Sequence, residues 1–144
     1  MIEQDTVKLL RECDAGVKMG TKSLDEVMRY AHSEQMISKL NACKDEHNKL
    51  DDEIRRALHR FGDEGKEPNP MASAMSWIKT EVKLAVHESD AVIADLMTEG
   101  CNMGVKSLSK YLNQYEAADE SAKNVAKKLI KIEENLAKDM RTFL

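Results

Sequence analysis

The sequence predicts an all-α protein, a four-helix bundle built from two related helical hairpins with a long crossover between them. Its composition favours helix over strand, because only 4% of its 144 residues are aromatic, 33% are charged, and Gly and Pro number six and two. Four long segments carry apolar residues spaced three and four apart. Finally, GVKMGTKSL at 16–24 recurs as GCNMGVKSL at 100–108 with six of nine positions identical, which indicates an internal repeat.

The first hairpin is predicted over residues 3–61. Its helices, over 3–31 and 34–61, are separated by a short break that ends at Ser33, a suitable N-cap. A break this short makes the two helices antiparallel neighbours. Gly62 is placed to end the second helix, because glycine commonly follows the last helical turn.

The second hairpin is predicted over residues 90–142, with helices over about 90–117 and 120–142. Its first helix matches that of the other hairpin at an offset of 84 residues. Its second helix matches at 86, which aligns Leu50 with Leu136. The capping candidates are Ser89 and Asp90 for the third helix, and Asp119 or Ser121 for the fourth.

Residues 62–89 form the predicted crossover, a polar loop with both prolines followed by a short amphipathic segment. Asn69 and Pro70 suit the N-cap and first position of a helix. Two uses of its apolar face are open: a membrane-surface anchor, or a contact with the core or a second subunit. The polar face is mixed in sign, which favours the contact, and we expect a homodimer. The apolar positions are Met71, Met75, Trp77, Ile78, Val82 and Ala85.

The overall charge and length narrow the class of protein. A chain of 144 residues is expected to form one domain, here 1–144. The net charge is −4, with 22 basic and 26 acidic residues, and nucleic acid is therefore not an expected partner. One helix does carry a lysine cluster, which we interpret as a solvated stripe. Its members are Lys123, Lys127, Lys128 and Lys131.

Cysteine usage and the N-terminus indicate a cytoplasmic protein. The three cysteines form no regular pattern, which argues against a disulfide framework and for a reducing compartment. The N-terminus lacks the features of a signal peptide, and no apolar run approaches the roughly 18 residues of a membrane span. The cysteines are Cys13, Cys43 and Cys101.

The duplicated hairpins, the helix lengths and the single long crossover resemble the ferritin-like superfamily over nearly the whole chain, and in particular its small uncharacterised bacterial members. The resemblance implies a bundle whose active members hold two metal ions. That family's signature is a Glu on the first and third helices and a Glu-x-x-His on the second and fourth. Here Lys44 stands three residues before His47, and the fourth helix has Glu133 and Glu134 without histidine. The full di-iron signature is therefore missing.

Asp14 and His47 are the leading candidates for a polar site. Both lie in apolar stripes, and in an antiparallel hairpin they are expected within about one turn of each other. An isolated buried carboxylate is costly, so a partner is expected. Glu133 is the repeat counterpart of His47, while Glu99 follows Thr98, the counterpart of Asp14. These four acidic and histidine side chains form either a structural network or a reduced ligand set for a metal or small ligand.

Four glycines in the repeated segment predict a close helix contact. Each costs about 1 kcal/mol relative to Ala inside a helix, so a compensating gain is expected. Pairs of small residues four apart are typical of helices whose backbones touch. We therefore expect the first and third helices to cross at Gly16, Gly20, Gly100 and Gly104.

Two functions follow from these patterns. The first is a non-catalytic ferritin-like bundle with a structural or protein-interaction role and no cofactor. The alternative is a metal-binding or redox protein that holds a divalent transition metal through a reduced ligand set. The ligands of that set are Asp14, His47, Glu99 and Glu133.

Overall fold

The computed structural model describes residues 2–66 and 89–144. These ranges contain four long helices and no strand, which confirms the prediction of an all-α, four-helix protein. The predicted crossover helix, with Trp77, lies outside the described residues. The helices are α1 (Ile2–Met28), α2 (Glu34–Arg60), α3 (Asp90–Gln114) and α4 (Glu120–Met140), followed by a short 3-10 turn at Arg141–Phe143.

The helix ends follow the capping signals in the sequence. The predicted N-caps each accept a hydrogen bond from the backbone N–H three residues further on, which satisfies one orphan donor of the first turn. Gly62 follows α2 with a φ of +69°, a left-handed conformation that favours glycine and ends the helix. The confirmed N-caps are Ser33, Ser89 and Asp119.

The two hairpin turns are each held by the start of a helix from the other hairpin. The carboxylate of Asp90 accepts hydrogen bonds from the backbone N–H groups of His32 and Ser33, at 2.8 and 3.0 Å. At the other end, the backbone N–H of Asp119 donates to the Thr6 hydroxyl at 2.8 Å. The start of α3 therefore lies beside the end of α1, and α2 ends at the opposite end of the bundle.

The core is divided into two apolar clusters, one above the other along the bundle. Each cluster contains residues from all four helices, so neither belongs to one hairpin. The first cluster includes Leu9, Leu10, Cys13, Leu50, Ile54, Leu108, Val125 and Leu129. The second cluster includes Leu24, Met36, Leu40, Cys43, Ile93, Met97, Cys101, Leu136 and Met140.

Burial recurs at the offsets of the sequence repeat. Positions 84 residues apart on α1 and α3, and 86 apart on α2 and α4, are buried together. The packing is less regular, because α1 packs against α4 whereas α2 and α3 share almost no contact. The pairs buried together are Leu9 and Ile93, Leu10 and Ala94, Cys13 and Met97, Val17 and Cys101, Leu24 and Leu108, Met36 and Ala122, Leu40 and Ala126, Cys43 and Leu129, Leu50 and Leu136, and Ile54 and Met140.

Candidate functional site

His47 lies at the boundary between the two apolar clusters. Along α2 it stands between Cys43 of the second cluster and Leu50 of the first, and its side chain is only 1% exposed. Glu133 has the same position on α4, between Leu129 and Leu136, and is 14% exposed. The centre of the bundle is therefore a polar layer between two apolar ones.

The hydrogen bonds of His47 determine its tautomer. Nδ1 lies 2.8 Å from the backbone carbonyl oxygen of Cys43, which can only accept, so Nδ1 carries a proton. Nε2 faces Glu133 Oε1 at 3.6 Å, which is an ion-pair contact but too long for a normal hydrogen bond. Nε2 is buried and has no hydrogen-bond partner among the described residues.

The neighbours of His47 control its protonation. Burial by itself lowers the pKa of His47, because it penalises the charged imidazolium. The contacts with Cys43 and Glu133 act in the opposite direction and outweigh burial, so they raise the pKa of His47 from 6.5 to about 10. At neutral pH the ring is therefore protonated and pairs with Glu133.

Two thiols complete this layer. The sulfur of Cys43 lies 3.5 Å from His47 Nδ1, and the thiol of Cys101 interacts with Glu133 and with Cys43. Burial raises the pKa of the Cys101 thiol, and the charge of Glu133 raises it further. We call Cys43, His47, Cys101 and Glu133 the central layer; they come from α2, α3 and α4.

Glycines on α1 and α3 make room for the central layer. A Cβ on Gly20 would lie 2.6 Å from His47 Nε2, and one on Gly104 would lie 3.3 Å from the Glu133 carboxylate. The expected crossing of α1 and α3 at all four glycines is wrong. Gly16 has only an ordinary contact with Leu129 of α4, and open space surrounds Gly100.

Asp14 is buried, but its partners lie elsewhere. Its Oδ2 accepts from the backbone N–H of Lys66 and pairs with Lys18 Nζ, both at 2.9 Å. The expected Asp14–His47 pair is therefore not formed. His47 faces Gly20, which is six residues and so about 9 Å further along the helix than Asp14. Asp14 instead fixes the start of the connection that follows α2.

Glu99 lies outside the interior as well. Its side chain is exposed on α3, and the neighbouring Thr98 donates its hydroxyl hydrogen to the carbonyl of Ala94 at 2.7 Å. Of the four predicted site residues, the structure thus brings together His47 and Glu133 and leaves Asp14 and Glu99 apart.

Sequence reasoning treated both thiols of the central layer as small apolar side chains. Two signals were available. Cys43 precedes His47 by four residues, which places both on one helical face. Cys101 replaces Val17 of the other copy, so a soft ligand type stands where the repeat has an apolar residue.

The di-iron centre that the family resemblance implies does not fit these residues. The positions on α1 and α3 that face His47 and Glu133 are Gly20 and Gly104, which supply no carboxylate. As the side chains stand, no three His, Cys, Asp or Glu residues in 2–66 and 89–144 are arranged to hold one metal ion.

Comparison with models of known protein families, with curated proteins and with solved structures found no match. Among the helices of the described ranges, none is long and apolar enough to cross a bilayer. The argument for function therefore starts from the central layer itself.

Proposed function

We propose that the protein is a non-catalytic, ferritin-like bundle of two duplicated hairpins with a structural or protein-interaction role. The observation that carries this proposal is the pair of glycines at the central layer. Gly20 and Gly104 stand where a carboxylate would have to reach the layer, and the imidazole of His47 occupies the space beside Gly20. A redox centre open to substrate is difficult to accommodate in such packing.

Recurrent contacts support the duplication. Gly20 faces His47 as Gly104 faces Glu133, at the offsets of the sequence repeat. The contact of Thr6 with Asp119 has its counterpart in that of Asp90 with the N-cap residue of α2. Two copies of one hairpin, related by an approximate twofold axis, would produce these correspondences.

The test is an assay for the chemistry of active ferritin-like proteins. Oxidation of Fe²⁺ by dioxygen should proceed at the same rate with the protein as in buffer alone. A catalysed rate that is lost in His47→Ala would overturn the non-catalytic assignment.

The expected cytoplasmic homodimer belongs to this proposal. Its basis is the amphipathic segment 71–85, whose apolar face needs a covering surface. Light scattering at micromolar concentration should give twice the chain mass, and a monomer would remove this part of the proposal.

A second candidate function, metal binding with a reduced ligand set, is favoured by one specific observation. The buried Nε2 of His47 has no hydrogen-bond partner among the described residues and points at a carboxylate. Unsatisfied buried nitrogen atoms are costly and uncommon in native structures. Of the predicted ligands, His47 and Glu133 remain in this candidate set, and Asp14 and Glu99 have other surroundings.

A further inference from the structure

We propose that the central layer is a structural site for a divalent, borderline-soft metal ion of the zinc type, with Cys43, His47, Cys101 and Glu133 as its four ligands. The inference rests on the second candidate function and specifies it. It leaves the non-catalytic bundle intact, because a metal held by four protein ligands has no open position for substrate.

The first argument is the separation of His47 Nε2 and Glu133 Oε1. A charge-assisted hydrogen bond would bring these atoms to about 2.8 Å, whereas two ligands of one tetrahedral zinc ion lie about 3.4 Å apart. The observed distance is 3.6 Å, closer to the second geometry. A positive charge is needed between the two atoms, and either a proton or a metal ion can supply it.

The second argument is the orientation of the imidazole ring. Metal-bound histidines usually donate their other ring N–H to a carbonyl or carboxylate, which fixes the tautomer. His47 makes this contact through Nδ1 and the Cys43 carbonyl at 2.8 Å. The buried Nε2 is thereby directed toward the interior of the layer, without a hydrogen-bond partner in the described residues.

The third argument is the company of two thiols. Cys43 lies four residues before His47 on the same face of α2, and Cys101 interacts with both Glu133 and Cys43. Sulfur and imidazole nitrogen are ligands that zinc prefers, and one carboxylate completes a common set of four. The set excludes Mg²⁺ and Ca²⁺, which take oxygen ligands.

Formation of the site requires a change of rotamer. The thiol of Cys43 now lies beside Nδ1, and it must turn toward Nε2 to share a metal with it. Cysteine has three staggered positions about χ1, so this rotation needs no movement of the backbone. The two thiols would lose their protons as the metal binds, and the affinity should fall at low pH.

The experiment is a titration of the full-length, reduced, metal-free protein with Co²⁺, followed by absorption. We expect a single Co²⁺ per chain, with intense visible bands of a tetrahedral ion and a near-ultraviolet thiolate-to-cobalt charge-transfer band. Excess Zn²⁺ should abolish both. The charge-transfer intensity per bound cobalt should correspond to two thiolates.

Variants locate the ligands. Cys43→Ser and Cys101→Ser should each remove about half of the charge-transfer intensity, with folding checked by far-ultraviolet circular dichroism. Cys13→Ser is the matched control, because Cys13 is equally buried but belongs to the first cluster. That variant should bind Co²⁺ with the unchanged spectrum.

The outcomes separate this inference from the function on which it rests. Co²⁺ binding without a charge-transfer band would keep metal binding as a function and overturn the thiol ligands. A wild-type protein that binds no Co²⁺ would overturn both, and would leave His47 and Glu133 as a protonated ion pair. The wild-type titration decides between these results even if a cysteine variant fails to fold.

Discussion

The two hairpins share their packing positions and differ in their polar residues. Each buries matching positions on both helices, and each begins its second helix with a capped turn. At the centre, however, one hairpin has His47 and the other has Glu133. Apolar side chains at matching positions are interchangeable because dispersion contacts have no direction. Two buried groups of like charge would repel each other, so the central position must differ between the hairpins.

The turns differ in the same way. One turn is held by the neutral hydroxyl of Thr6 and the other by the carboxylate of Asp90, which occupies the matching position 84 residues later. The geometry of the contact is kept while its charge changes. The comparison therefore separates what the hairpin architecture requires from what each copy can vary.

The largest expected effect comes from breaking the central pair. His47→Ala should lower the free energy of unfolding of the metal-free protein by about 3 kcal/mol, since it removes one partner of a buried pair and leaves a cavity. Glu133→Ala should cost less, about 1–2 kcal/mol, because Glu133 is partly exposed. Urea denaturation measures both. Equal losses would contradict the difference in burial between the two hairpins.

The facing glycines should also differ. Gly20→Ala should destabilise by about 2 kcal/mol, because its Cβ would lie 2.6 Å from the His47 ring. Gly104→Ala should be near neutral, since a gain of about 1 kcal/mol in helix propensity offsets a small shift of the flexible Glu133.

A double variant sharpens this comparison. In the His47→Ala background the ring is absent, so the added Gly20→Ala should become neutral or stabilising. Thermal unfolding of the four chains of this cycle measures the effect. A penalty for Gly20→Ala that persists without the ring would place its cause in the helix backbone.

The turn contacts should respond differently to acid. Burial alone would raise the pKa of Asp90, but the N–H donors of His32 and Ser33 outweigh it and hold that pKa below 3.8. A depressed pKa contributes stability above pH 3.8, and this contribution is lost as the pH falls through the folded value. Asp90→Asn should thus cost about 1 kcal/mol at pH 7, and less as the pH drops below that range.

Thr6→Val provides the neutral counterpart of this test. Its cost should be about 1 kcal/mol and should not change with pH, because the Thr6 hydroxyl does not titrate. Urea unfolding from pH 7 to pH 3 measures both variants. Parallel pH profiles for the two would contradict the assignment.

The smallest effect is expected at the remaining glycines. Gly100→Ala should stabilise the protein by about 0.5–1 kcal/mol, because its Cβ would meet nothing and helix propensity improves. Gly16→Ala should gain less, since its Cβ would contact Leu129 at 3.5 Å. A fall in melting temperature for Gly100→Ala would show a packing role that the structure lacks.

The sequence predicted the helices well because periodicity and caps are local signals. Ser33, Asp119 and Gly62 each act through backbone groups a few residues away, so their roles are legible in the chain. The α1 and α3 ends were placed about three residues late, at 31 and 117, because apolar spacing continued beyond the last helical hydrogen bonds.

The site was predicted only in part, because it depends on the rotation of each helix. Residue pairing in a hairpin gives height along the bundle, and it placed Asp14 near the level of His47. It does not give the direction of a side chain, and the residue that faces His47 is Gly20. Cys101 was missed since its neighbours come from α2 and α4, contacts that no spacing within α3 reveals.

The division of the core into two clusters that each span all four helices has a consequence for local opening. Neither hairpin can detach without exposing half of both clusters, so sub-global unfolding of one hairpin should be rare. The turn contacts add links across 57 and 113 residues of sequence. Amide hydrogens in the middle of α1 and α3 should accordingly exchange at one common, global rate, and the molecule should behave as a single cooperative unit although its sequence repeats.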